Sequence, residues 1–329
     1  RLNPAAPLNV PRRPGRSQPG VVVVGVGRVG SVLGTALREA GHEVAGLHRE
    51  QLESRSAWHS AGSGPDSPKR PDLPLRAAIP LATRREARRA DVVLLCVPDD
   101  VLPRVAQQLL GRGVIRSGQL VVHTSGLHGA AVLSAVRKVG AHPVAIHPAM
   151  TFTGSREDVR RLALTQFTVT CDEQHHEAAG VLVADLGGTA TVLPEGARPL
   201  YHAALAHGAN HLVTVINDAL ELLEEAGVPD PARTLAPLVR AATENALQRG
   251  DEALTGPVSR GDVQTVATHL DHLAERSPAI LPTYAALARR TAARATAAGR
   301  LAIDKAGPVL DVLAGRAGLR ESRHGSAAR

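Results

Sequence analysis

Lysine is nearly missing from this chain. Of its 38 basic residues only Lys69, Lys138 and Lys305 are lysines. A mechanism that needs an amine in the middle of the second half is therefore excluded. Cysteine is as scarce: Cys96 and Cys171 both sit in apolar, strand-like runs and read as small buried hydrophobes of a reducing compartment. Two cysteines cannot form a disulfide framework or a cysteine zinc site. No apolar run approaches the roughly 18 residues that would cross a bilayer. The amino-terminal RLNPAAPLNVPRRPGRSQPG lacks the apolar core of a secretory signal, so a cytoplasmic chain without membrane contact is expected. Rings for stacking bases are few: two Phe, two Tyr and one Trp. The net charge of +7 comes from scattered arginines, and it reads as a match to anionic small molecules rather than to nucleic acid.

What is present is enough apolar residue, 43% of 329, for two domains with cores of their own. Residues 1–20, rich in Pro, Arg and Gly, read as a disordered tail. From 21 to 195, continuous Val/Leu/Ile runs (VVVVGVG, DVVLLCVP, QLVVHTSG, PVAIHP) alternate with helical stretches. Such runs indicate strands buried on both faces, hence a mostly parallel α/β sheet of Rossmann type. HEVAGLHR, FTVTC and TATVLP are further strands, and the Gly/Pro/Ser stretch of 60–75 reads as a loop. From 196 to 318 long Ala/Leu segments predict an all-helical second domain, with 319–329 as a frayed tail.

Gly25-Val26-Gly27-Arg28-Val29-Gly30 is a G-x-G-x-x-G sequence that follows a buried strand and opens a helix, the context a dinucleotide-binding turn requires. Gly25 allows the tight turn, Gly27 lets the backbone approach a pyrophosphate, and Gly30 lets helix and strand pack. The helix amino terminus adds free N–H groups and partial positive charge. At the end of the second strand a carboxylate would hold the ribose of NAD. Here His48-Arg49 stands instead, and a guanidinium suits the extra phosphate of NADP. Val97-Pro98 and Thr124-Ser125, at later strand ends, are further candidates to touch the cofactor. Asp99 reads first as the N-cap of the next helix.

Two strand ends carry histidine, His123 and His147, each open to a structural or a functional reading. The segment PLYHAALAHGANHLVTVINDAL predicts one long helix. On an ideal wheel His202 and Asn210 lie about 80° apart, with Asn217, Val213 and Ala206 in the same wedge. Polar groups buried in such an apolar strip must be paired with each other or with a ligand. In LTGPVSRGD, Ser259 and Asp262 are either helix caps or, with Arg260, part of an anion site, for which Arg198 is another candidate. No metal motif is present, since the adjacent His175 and His176 do not converge easily on one ion.

Taken in order, VPDD, VVHTSG, IHPAMTFTG, RPLYHAALAHGAN and LTGPVSRGD resemble a poorly characterised family of Rossmann-like reductases with a helical C-terminal domain. Its relatives include ketopantoate reductase, pyrroline-carboxylate reductase and phosphogluconate dehydrogenase. The resemblance spans about residues 20–300 and implies NADPH as hydride donor, a small keto-acid or imine as substrate, and a homodimer. Ordinary ketopantoate reductases carry a lysine on the first interdomain helix. Here Asn210 stands on a comparable helix and the lysine is absent. His202 is accordingly expected to supply the proton, with His147 in reserve, because histidine titrates near working pH. Asn210 would orient the carbonyl oxygen or the cofactor, and Ser259, Arg260 or Arg198 would hold an anionic group. The rival expectation is an NADP sensor that binds cofactor without turnover.

Overall fold

The computed structural model describes residues 7–8, 19–48, 75 and 79–318. Most of the expected amino-terminal tail, the 60–75 loop except Leu75, Arg49 and the carboxyl-terminal tail lie outside these residues. Part of the tail expectation is corrected, because Pro7–Leu8 is a short strand, β1.

The chain divides into two compact units, Arg1–Gly208 and Ala209–Arg329. The first is built on an eight-stranded sheet of β1, β2 (Val21–Val24), β3 (Val44–Leu47), β4 (Val92–Leu95), β5 (Leu120–His123), β6 (His142–Pro148), β7 (Gln166–Thr170) and β8 (Thr189–Val192). Their order across the sheet is β1-β8-β7-β6-β5-β4-β2-β3. β2 to β6 run parallel, which is why their sequences are continuous apolar runs: alternate residues face two different cores. Val21 and Val23 enter one core, with Leu33, Leu37 and Phe167, while Val22 and Val24 enter the other, with Leu102, Leu109 and Leu133.

Outside β3 a single parallel bridge joins Gly46 to Leu81. This residue stands where the third strand of a 3-2-1-4-5-6 order would be, so the topology is Rossmann-type with one strand reduced to a bridge. Beyond β6 the direction reverses, since β7 pairs antiparallel with it, Ala145 opposite Thr170 and His147 opposite Thr168. The helices between the strands are α1 (Arg28–Glu39), α2 (Arg84–Arg89), α3 (Leu102–Gly111), α4 (Arg156–Arg161) and α5 (His176–Asp185).

After β8 the chain enters α6 (Arg198–Leu205), a π-helical turn (Ala206–Asn210) and α7 (His211–Glu225). The expected continuous helix is thus interrupted. A π turn carries more residues per turn than an α-helix, so an ideal wheel drawn through it misplaces everything beyond. The embedding inferred from that wheel is also corrected, because His202, Asn210 and Asn217 are all exposed.

The second unit continues through α8 (Pro231–Arg249), α9 (Pro257–Arg260), α10 (Val263–Arg276), α11 (Leu281–Ala297) and α12 (Ile303–Gly318). Its core draws on Ala285, Ala288, Ala292 and Ala295, spaced three and four apart on one face of α11, with Val266, Leu270, Val309 and Leu313. Asp262 caps α10 by accepting from the Thr265 N–H at 3.0 Å. Ser259, 4% exposed, donates its hydroxyl to the Gly256 carbonyl at 3.1 Å, whereas Arg260 is exposed.

Candidate active site

The site is built at the carboxyl ends of β2, β4, β5 and β6, where open α/β sheets bind their ligands. Gly25 leaves β2 with φ +88°, a left-handed conformation that favours glycine. A Cβ there would lie 2.5 Å from the Cys96 carbonyl oxygen, and one on Gly30 would lie 2.2 Å from the Gly25 carbonyl oxygen. These two glycines are thus required by contact between backbones. A Cβ on Gly27 would meet nothing within 4 Å, so the space above that residue is open. Gly27 is the N-cap of α1, with no side chain capping the helix and no acidic residue in its first turn. Gly27 and Arg28 are exposed and Val29 is half-buried beside them. An exposed, uncapped helix amino terminus beside a side-chain-free cradle fits a pyrophosphate.

β4 ends at Cys96-Val97-Pro98. Cys96 packs its Cβ towards Gly30, and burial pushes its thiol up to about 12, so it is inert packing. Asp99 is not the N-cap the sequence suggests. It is the first residue of a 3-10 turn whose N-cap is Pro98, and its carboxylate accepts from the Ser125 hydroxyl at 2.8 Å. The same hydroxyl accepts from the His128 N–H at 3.0 Å, and Thr124 lies half-buried at the head of this loop.

His123, fully buried at the end of β5, holds the loop from beneath. Its Nε2–H donates to the Gly129 carbonyl at 2.9 Å and its Nδ1 accepts from the Ser125 N–H at 3.2 Å. Both nitrogens are satisfied in the neutral form. Burial lowers its pKa to about 4; the hydrogen bond to Gly129 opposes the shift, and Arg198, His128 and His147 add to it. On the far side of the loop, Glu195 accepts from the Ala131 N–H and covers Gly129, where a Cβ would lie 2.3 Å from its carboxyl.

β6 extends past its last pairing with β5, which is Ala145 opposite His123, and this overhang presents His147. Its Nδ1 is 2.8 Å from the Tyr201 hydroxyl, with the two rings edge to face. Its Nε2 would be 3.0 Å from a Cβ on Gly126, and Cδ2 of His202 would be 2.8 Å from the same point. The absence of a side chain at Gly126 is therefore what allows the two imidazoles to close on the loop. Burial first, then the charges of Arg198 and His202, brings His147 to about 4, so it is neutral at physiological pH.

Arg198 is corrected outright. It is 0% exposed, and its guanidinium donates to the Thr170 hydroxyl (2.9 Å) and to the carbonyls of Ser125 (3.0 Å), Ala145 (3.2 Å) and Thr168 (3.2 Å). It ties the β5 loop to β6 and β7 rather than holding an anion. The structure thus brings together His147, His202, Thr124 and Ser125. Asn210, Ser259 and Arg260 lie on the second unit, and Arg49 lies outside the described residues. His48 is half-buried just after β3. Tyr201 was missed, although it stands beside His202 in the sequence. An isolated Tyr carries no periodic signal. Among the described residues no three His, Cys, Asp or Glu side chains are set to hold a metal, and no helix is long and apolar enough to cross a membrane.

Comparison with known proteins agrees with this architecture. Residues 6–148 match a Rossmann-like domain and residues 165–291 match a domain of unknown function (DUF2520). No curated protein matches the chain in sequence. Among solved structures, a protein of Thermotoga maritima is 18% identical, covering 84% of this chain and 98% of its own, with a TM-score of 0.58. An imine reductase of Myxococcus stipitatus in complex with NADP+ is 16% identical, over 83% and 93% of the two chains, with a TM-score of 0.56. A pyrroline carboxylate reductase of Plasmodium falciparum with NADP bound is 12% identical, over 85% and 100%, with a TM-score of 0.51. At these identities the likeness establishes the fold.

Proposed function

We propose that this Rossmann-like domain with a helical second half is an NADP-dependent reductase of a small carbonyl or imine compound, in the manner of ketopantoate reductase. The observation that carries the reading is one of position. The open cradle at Gly27 and the His147–Tyr201–His202 cluster stand at the same carboxyl edge of one sheet. The NADP-bound reductases among the structural neighbours support it. When bound, the reduced dinucleotide supplies a hydride. The residues of the chain then have two tasks: the Gly25–Gly30 turn, open at Gly27, seats the phosphates, and one of the two histidines, His202 or His147, supplies a proton to the reduced substrate. With Arg198 spent inside the protein, an anionic group on the substrate falls to Arg260, and Asn210 is the proposed partner of the carbonyl oxygen or the cofactor. A reducing, cytoplasmic setting suits a chain whose two cysteines are free thiols.

Thermal unfolding with NADPH or NADH tests the reading. At a hundred times its dissociation constant, a ligand that binds only the folded state adds about 2.7 kcal/mol. NADPH is expected to raise Tm well above NADH, and Arg49→Ala is expected to erase the difference. No shift with either dinucleotide would refute the proposal. A shift without turnover of any keto-acid or cyclic imine would leave a sensor.

The homodimer is part of the same proposal. Neither α7 nor α8 contains a buried residue, and Val213, Leu238 and Leu247 are exposed at 58%, 67% and 85%. Helices with so much free apolar surface suit a second copy of the chain. Sedimentation is expected to give twice the chain mass of 34.3 kDa. A monomer at micromolar concentration would argue against the pairing.

A further inference from the structure

We infer that Tyr201 is a positioning residue that fixes the proton of His147 on Nε2, so that this N–H is the donor offered at the carboxyl edge of the sheet. The use of that proton rests on the reductase reading; the tautomer does not.

The geometry carries the argument. Tyr201 OH and His147 Nδ1 are 2.8 Å apart, so one of them donates to the other. A phenol is the better acid and a bare imidazole nitrogen the better acceptor, so the O–H donates and Nδ1 is left without a hydrogen. The single remaining ring proton must then sit on Nε2, the nitrogen that faces Gly126 beside His202. The surroundings act in the same sense. Burial first, then the Arg198 guanidinium, opposes a second proton on His147; burial raises the pKa of Tyr201, so its O–H stays protonated and able to donate, while Thr168 and Arg198 partly offset that rise. The result is a neutral histidine with a defined donor, where a free imidazole would divide between two tautomers.

A bound reduced dinucleotide would supply the hydride, and the C=O or C=N heteroatom of the substrate would then need one proton. The Nε2–H bond of His147 breaks as the heteroatom–H bond forms. Nδ1 takes the phenolic proton, and the O–H bond of Tyr201 breaks to leave a phenolate beside Arg198. Return of the Nδ1 proton to the phenolate, with one proton from water to Nε2, restores the starting state. His202, exposed and with its ring edge on Gly126, then shapes the site rather than supplying the proton.

The test uses the cofactor-free chain with 15N-labelled histidine, with the His147 ring assigned by its loss in His147→Gln. Two-bond proton–nitrogen correlation spectra are expected to show a pyridine-type Nδ1 and a pyrrole-type Nε2, unchanged from pH 8 down to about one unit above its pKa of about 4. In Tyr201→Phe the ring is expected to become a mixture of tautomers. A pyrrole-type Nδ1 in the parent, or the same pure tautomer in Tyr201→Phe, would overturn the inference. Neither spectrum depends on turnover, so failure of the reductase reading would be seen separately. Once a substrate is known, Tyr201→Phe is expected to lower kcat by roughly a hundredfold with KM little changed. An altered tautomer with unchanged kcat would remove the proton-donor role.

Discussion

Arg198→Met is expected to lower the free energy of unfolding by about 4 kcal/mol, read from urea denaturation at neutral pH. The side chain is fully buried, yet it faces no carboxylate close enough to make an ion pair among the described residues. Its charge is balanced by three carbonyl dipoles and a hydroxyl, and burial brings its pKa down to about 10, still cationic at neutral pH. Methionine fills much of the volume and removes every donor. Each acceptor left dry then costs about 1–3 kcal/mol, reduced where water can enter. The acceptors lie on the β5 loop, β6 and β7, so the loss falls where the sheet turns from parallel to antiparallel. Arg198→Lys keeps the charge but cannot reproduce the planar fork across that spread, and it is expected to cost about 2 kcal/mol. A loss below about 1 kcal/mol for the methionine variant would show that this tie is dispensable.

Acidification is expected to weaken the fold well before its carboxylates titrate. His123 has an ordinary pKa of 6.5 and a folded value of about 4. Between these values the unfolded chain binds a proton that the folded chain refuses, so stability falls as pH falls from 6.5 towards 4. The stability contributed by the neutral ring is fully present above 6.5 and lost by about 4, on the order of 3 kcal/mol for this residue alone. His147 and His175 are shifted in the same direction and steepen the slope. Of the acids with lowered values, Glu86 starts from 4.5, at the lower end of that window, and Asp158, Asp172 and Asp262 start from 3.8, below it. Chemical denaturation at pH 7, 6 and 5 reads the histidines above the starting values of these acids. A flat profile across those three points would contradict the buried, neutral His123.

Much of this structure could be read from the residues alone, and the rest is missing for specific reasons. The Gly25–Gly30 turn was legible because two of its glycines answer to backbone contacts, which leave no freedom in residue type. The buried strands were legible because a strand covered on both faces cannot be polar. The reversal of β7 was not, since FTVT offers the same apolar pattern to a parallel or an antiparallel neighbour. Leu81 escaped because a strand reduced to one bridge has no period. The π turn escaped because AHGAN fits an ordinary helix as well, and without it the angle between His202 and Asn210 could not be found. The burial of Arg198 was not legible because three of its four acceptors are carbonyl oxygens, and every residue has one.

The pairing of β1 with β8 bears on how the chain comes off the ribosome. Pro7 lies opposite Thr191, 184 residues later. At about 5–20 residues per second, synthesis needs roughly 10 to 40 s to cover that distance. Throughout that time the first strand has no partner of its own, and the β8 edge is finished last among the strands of the sheet. The parallel core from β2 to β6 can assemble meanwhile, with its neighbours already made. β1 therefore joins as a late clasp, laid on β8 after the parallel core is already in place.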